Sequence, residues 1–236
     1  MSGRRTLRLS VAVAATAAFA LATAYALADT PITSSPTCCS YSSSSFTITG
    51  GQVAQFQNAT TSGGGFYGGT SHSVVADQAS GGKPLFISKI VPSGSTTAVN
   101  GTQYLAPGTY QFHCAVHGPS MSATLQVVGG APLARPHVAL RIASSKLARV
   151  RRAGKLKVKV TGSGSDARGV SLKATRGSRR IGHKSDLRVA SGTTKSVKLK
   201  LSRKARRSLK GLHKAKIKVK AAVPYGSATN AKRTLR

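Results

Sequence analysis

The sequence predicts an all-β protein made of two successive β-sandwiches, and three observations carry that prediction. Between Ser45 and Gly130, short runs rich in Thr, Val, Ile and aromatic residues are separated by Gly, Ser, Pro and Asn, the spacing of strands joined by tight turns. From Lys155 onward lysine alternates with an apolar residue over several stretches, the period of a strand with one wet and one buried face. Charge then divides the chain: residues 29–130 carry two acidic and two basic residues, whereas 131–236 carry 31 Lys or Arg against Asp166 and Asp186. Nearly all of the net charge of +32 belongs to the second unit.

Residues 1–28 join a basic head (Arg4, Arg5, Arg8) to an apolar run from Leu9 to Ala24 and end in the small residues Ala26-Leu27-Ala28. They read as a secretory signal peptide cut before Asp29, with a retained membrane anchor as the alternative. Arg4-Arg5-Thr6-Leu7 leaves both the general and the twin-arginine export routes open. No other stretch is apolar enough to cross a bilayer, so the mature chain is expected outside the cytoplasm, secreted or associated with the cell envelope. Residues 29–44 are rich in Ser, Thr and Pro and read as a flexible lead-in holding Cys38 and Cys39. Adjacent cysteines in an exported chain could close on each other, bridge two chains or bind a second metal.

Residues 45–130 form the first sandwich. Candidate strands are Phe46 to Thr49, Gln52 to Gln57, His72 to Asp77, Leu85 to Val91, Thr109 to Cys114 and Met121 to Val128. The glycine-rich stretch before His72, with Phe66 and Tyr67, is read as a loop near the chemical end of the unit. Strand alternation puts Tyr110, Phe112 and Cys114 on one face and His113 on the other. Gly118-Pro119 then turns the chain and returns His117 and Met121 towards the Cys114 sulfur. A second imidazole is available upstream in His72. Two imidazoles, a thiolate and a weak thioether are the donor set of a type 1 copper site.

On these residues (His72, then Cys114, His117 and Met121) the sequence resembles the cupredoxin family over roughly residues 40–130. The resemblance implies a Greek-key β-sandwich with one copper ion at one end, carrying single electrons to and from a redox protein. Plastocyanin-like loops read C-x2-H-x4-M and amicyanin-like loops C-x2-H-x2-M; this chain reads C-x2-H-x3-M. Many family members carry Asn after the first histidine, where it ties the two ligand loops together. Ser73 stands there in this chain, which predicts a looser tie.

Residues 131–137 (Ala131, Pro132, Pro136) read as a linker that lets the two units move independently, and 138–236 as the basic unit. Its strands are Lys155 to Val160, Val197 to Leu201 and Lys214 to Lys220. Ser202 to Lys210 is predicted as a short helix, with Leu201, Ala205 and Leu209 on one face, Ser202 as cap and Gly211 as stop. The unit resembles the basic immunoglobulin-like domains of exported bacterial proteins; a partly disordered polycation is the alternative. So positive a surface attracts anionic polymers, and export points to cell-wall polymer or lipid headgroups. Nucleic acid is disfavoured, because Tyr225 is the sole aromatic residue after position 130 and base stacking needs more.

Catalysis is not expected: the chain has no glutamate, four aspartates and no second histidine-rich cluster. The expected function is an exported electron carrier. A copper sequestration or delivery protein, and a structural surface protein with a vestigial metal site, are the alternatives.

Overall fold

Why the chain folds as strands is clearest where alternation is unbroken, as in Met121, Ala123, Leu125 and Val127, which are all buried while Ser122, Gln126 and Val128 face water. A computed structural model describes residues 26–61, 71–227 and 229–236. The basic head and apolar run of the predicted signal peptide, and the glycine-rich stretch with Phe66 and Tyr67, lie outside the described residues.

The first region contains β1 (Ile32–Thr33), β2 (Ser45–Thr49), β3 (Ala54–Gln57), β4 (Val75–Ala76), β5 (Ala79–Ser80), β6 (Lys83–Pro84), β7 (Thr96–Val99), β8 (Gly108–Cys114) and β9 (Gly118–Val128). Two sheets, in the orders β2-β9-β8-β4 and β1-β3-β7, enclose a core built on Phe56, Phe86, Phe112, Ile32, Leu105 and Leu125. The rings of Tyr41, Phe46, Phe56, Phe86 and Phe112 meet mostly edge to face, the arrangement their quadrupoles favour.

Several expected strands are shorter than their sequence suggests. His72 and Val91 make an isolated two-way bridge, and from Leu85 to Val91 the chain forms no extended strand, pairing through isolated bridges at Ile87 and single backbone hydrogen bonds at Leu85, Phe86 and Ser88. Residues 29–44 are more than a lead-in: Ile32 pairs with Phe56 in parallel register, and both Ile32 and Tyr41 are buried in the core. Ala26 and Ala28 also exchange backbone hydrogen bonds with Val53, and Ala28 enters the same core.

The basic region adds β10 (His137–Ile142), α1 (Leu147–Ala153), β11 (Lys155–Ser163), β12 (Ala167–Arg176), β13 (Arg179–Val189), β14 (Thr194–Lys200), α2 (Arg203–Ser208), β15 (Ala215–Ala222) and β16 (Thr229–Leu235). Antiparallel sheets β10-β11-β14 and β13-β12-β15-β16 close over a core of Val, Leu, Ile and Ala. The chain is thus an all-β sandwich protein, with an ordered basic region in place of a loose polycation. The helix near Ser202 forms as expected, with the Ser202 hydroxyl oxygen accepting from the Ala205 N–H.

Register puts like charges opposite one another on the wet faces. Lys155 faces Lys200, Lys157 faces Lys198 and Arg141 faces Lys159 in one sheet; Lys173 faces Lys220 and Lys218 faces Lys232 in the other. The linker is fastened to both regions: Leu133 N–H donates to the Gln103 carbonyl, and Arg135 donates to the Tyr225 carbonyl while lying over the Tyr104 ring. Among the described residues no helix is long and apolar enough to cross a membrane.

Candidate metal centre

Cys114 ends β8 with its side chain in the apolar interior, fully buried beside Phe112. The next three residues turn, and Gly118 pairs back to Cys114 with φ of 62°, a left-handed conformation that suits glycine at the end of a three-residue hairpin loop. That turn brings His117 over the Cys114 sulfur. From the other side His72 arrives on its bridge to Val91. One donor atom from each of His72, Cys114 and His117 lies within 4.8 Å of the others. The two imidazole centroids are 4.9 Å apart, and His72 Nδ1 is 3.9 Å from Cys114 Sγ.

The Thr60 hydroxyl, which the sequence did not single out, orders one side of this cluster. The Thr60 hydroxyl donates its one hydrogen to the Ser35 carbonyl at 3.1 Å. Its oxygen therefore accepts at 3.1 Å from His72 Nε2, which fixes the Nε2–H tautomer and leaves the Nδ1 lone pair facing the sulfur. Burial, and then the neighbouring His117, push the His72 pKa below its ordinary value, so the ring is kept neutral, the state in which it can donate to a metal. Thr60 is itself held by Asn58, whose Oδ1 accepts from the Ser34 hydroxyl and the Thr60 N–H and whose Nδ2 donates to the Val91 carbonyl. Nothing in the sequence pattern assigns Thr60 or Asn58 a place beside the donors, because that role depends on where a loop passes.

Ser73 corrects the expectation of a loose tie. Its Oγ accepts from the Ala115 N–H at 3.0 Å and lies 3.9 Å from Cys114 Sγ, while its carbonyl accepts from the buried Tyr41 hydroxyl at 2.6 Å. A serine thus joins the His72 and Cys114 loops as the amide would. His113 faces away from Cys114, as alternation requires, and pairs through Nδ1 with Asp77. Met121 is fully buried on the inward face of β9, in the same apolar cluster as Cys114.

The donors fit a metal on an observation separate from their proximity. His117 Nδ1 is buried with no hydrogen-bond partner, an arrangement that costs free energy unless something binds it. The donor chemistry, thiolate plus two imidazoles, suits copper. Cys38 and Cys39 form a disulfide with each other, one of the three expected alternatives. Their sulfurs also lie within 4.8 Å of a His117 nitrogen, which nothing in the sequence indicated.

No protein-family model matches the chain, and neither does a curated protein. Among solved structures, a Cu-containing nitrite reductase (NirK) from Thermus scotoductus SA-01 is 24% identical with a TM-score of 0.33, the match covering 51% of this chain and 25% of that one. The BSP domain of a biofilm associated protein is 13% identical with a TM-score of 0.23, covering 70% of this chain and 24% of that one. Both likenesses are loose, and the chain spans about a quarter of the length of each structure.

Proposed function

We propose that this chain is an exported cupredoxin-type protein that carries single electrons on one type 1 copper ion, which Cys114, His72 and His117 would hold with Met121 as a weaker fourth donor. The observation that carries the reading is the buried convergence of a thiol and two imidazoles, one of them with an orphaned Nδ1. Copper, when bound, supplies a one-electron couple. Around it, Thr60 and Ser73 hold the donors in place through hydrogen bonds that exist before any metal arrives, so little rearrangement is needed when the oxidation state changes. Phe112, Met121 and Val74 keep water from the thiolate side. His117 is the more exposed imidazole, and the outward-facing Ala115, Val116 and Pro119 beside it offer an apolar surface to a redox protein.

The role is that of a carrier and not a catalyst. Asp77 is engaged with His113, and the other carboxylates are few and lie elsewhere in the sequence. The basic region would hold the carrier near anionic wall polymer or lipid headgroups. Uncompensated lysine pairs on both outer faces support this, since like charges directly opposite are unfavourable until an anion covers them.

Visible and EPR spectra after addition of Cu(II) test the reading. An intense thiolate-to-copper band with narrow copper hyperfine splitting, abolished in Cys114→Ser, is expected. A pale, ordinary Cu(II) spectrum overturns electron transfer and moves sequestration or delivery ahead. Binding of the full chain to anionic vesicles, followed against salt, tests the second part: adhesion is expected to fall steeply as salt rises, and salt-independent adhesion overturns it.

A further inference from the structure

The disulfide-bonded pair occupies the tip of a short hairpin that is built into the metal centre. Ser34 bridges to Tyr41 in antiparallel register, and Ser35 N–H donates to the Ser40 carbonyl across the base of the tip. The hairpin is fastened by residues that also order the buried donors. Thr60 donates to Ser35 and holds His72, while Tyr41 donates to Ser73 and so reaches the Cys114 loop. Cys38 and Cys39 are thereby set with their sulfurs and a His117 nitrogen within 4.8 Å of one another. The two triads differ in access: His72 and Cys114 are buried, Cys38 is half-buried and Cys39 exposed. His117 alone belongs to both.

We propose that Cys38 and Cys39, once reduced, form with His117 a surface site for a cuprous ion, which passes inward through the imidazole that the two triads share. Two thiolates and an imidazole are a soft donor set that selects Cu(I). In the disulfide neither sulfur is a thiolate, so the site is closed. Two equivalents of a small thiol open it, each giving up one electron and one proton, and leave as their own disulfide while Cys38 and Cys39 become thiols. Both thiols lose their protons when Cu(I) binds. On transfer inward Cys114 gives up its proton, and the pair takes back that proton and one more from solvent. Only this transfer rests on the buried triad being a copper centre; the surface site does not.

The test uses the full chain carrying Cys114→Ser, which makes the result independent of the buried thiolate. The protein is reduced with a phosphine, desalted without oxygen and titrated with Cu(I) against a chromophoric cuprous chelator, thiols being counted by alkylation and mass spectrometry. The reduced protein is expected to hold one Cu(I). Affinity should fall roughly a hundredfold or more when the pair is left oxidised or carries Cys38→Ser and Cys39→Ser, and about tenfold with His117→Ala. Equal affinity in all of these states overturns the site, and an affinity unmoved by His117→Ala overturns the sharing. Circular dichroism checks each fold; where the serine variant unfolds, alkylating the reduced pair serves in its place. For the relay, Cu(I) capture by the chain with Cys114 intact is expected to be at least about tenfold faster with a reduced pair than with the serine pair, and equal rates overturn it.

Discussion

The two regions are both β-sandwiches, yet they use their interiors in opposite ways. Every buried polar residue among those described (Ser34, Asn58, Thr60, His72, Ser73, Ser88, Thr102 and Gln103) belongs to the first region, whose core is aromatic. The fully buried side chains of the basic region are all aliphatic, and its charge lies largely outside, although Arg176 Nε is buried. A buried polar group is tolerated only with a partner, so the first region needs a network closed residue by residue, and that network surrounds the thiol and imidazoles. The second region needs only that every other residue be apolar. One interior is organised to place a few donors, the other to support a surface.

This contrast can be broken experimentally. Leu172→Ala in the aliphatic core should produce the largest effect, a loss of about 2–5 kcal/mol in denaturant unfolding, with copper uptake by the folded protein unchanged. Altered copper affinity would show that the two interiors are coupled. Ser73→Ala leaves the Ala115 N–H without its acceptor and should lower the stability of the metal-free chain by about 1–3 kcal/mol. Ser73→Asn should restore most of that loss, and calorimetry of the three proteins decides it. Thr60→Val removes the acceptor that fixes the His72 tautomer and the donor to the Ser35 carbonyl; copper affinity by chelator competition should drop about 10- to 100-fold, and the melting temperature should fall as well because buried polar groups lose their partner. Smallest is the surface term. Replacing Lys157 and Lys198 together by Gln relieves one opposed pair and should stabilise the protein by about 0.2–1 kcal/mol at low salt, a gain that added salt should erase.

Legibility in the sequence follows the same division. In β11, β14 and β15 alternation alone locates the strands, because nothing but burial decides each position. β12 and β13 carry Gly, Ser and Arg that blur the period, and they emerge only from pairing with their neighbours; α1 is too short, with only Leu147 and Val150 buried, to show a period. In the first region His72, Cys114 and His117 could be named from residue type and spacing, since a hairpin turn brings two of them together locally. Their supports could not. Thr60 reaches His72, and Tyr41 reaches Ser73, through loops whose paths no local pattern encodes. The nearness of Cys38 and Cys39 to His117 is of the same kind: it arises because Ile32 pairs with Phe56 and draws a Ser- and Pro-rich segment into the fold.

The hydrogen bonds between Ala26, Ala28 and Val53 have a consequence for maturation. The peptide bond after Ala28 is where the sequence predicts a peptidase to cut, yet in the folded chain Ala28 is buried against the core. Were the chain cut there, cutting and folding would compete for the same residues. If the cut came first, Val53 would lose two backbone partners; if folding came first, Ala28 would be held at Val53 with its side chain in the core. A chain exported unfolded would meet the peptidase with that bond free, and one exported folded would have to release residues 26–28 from Val53 before it could be cut.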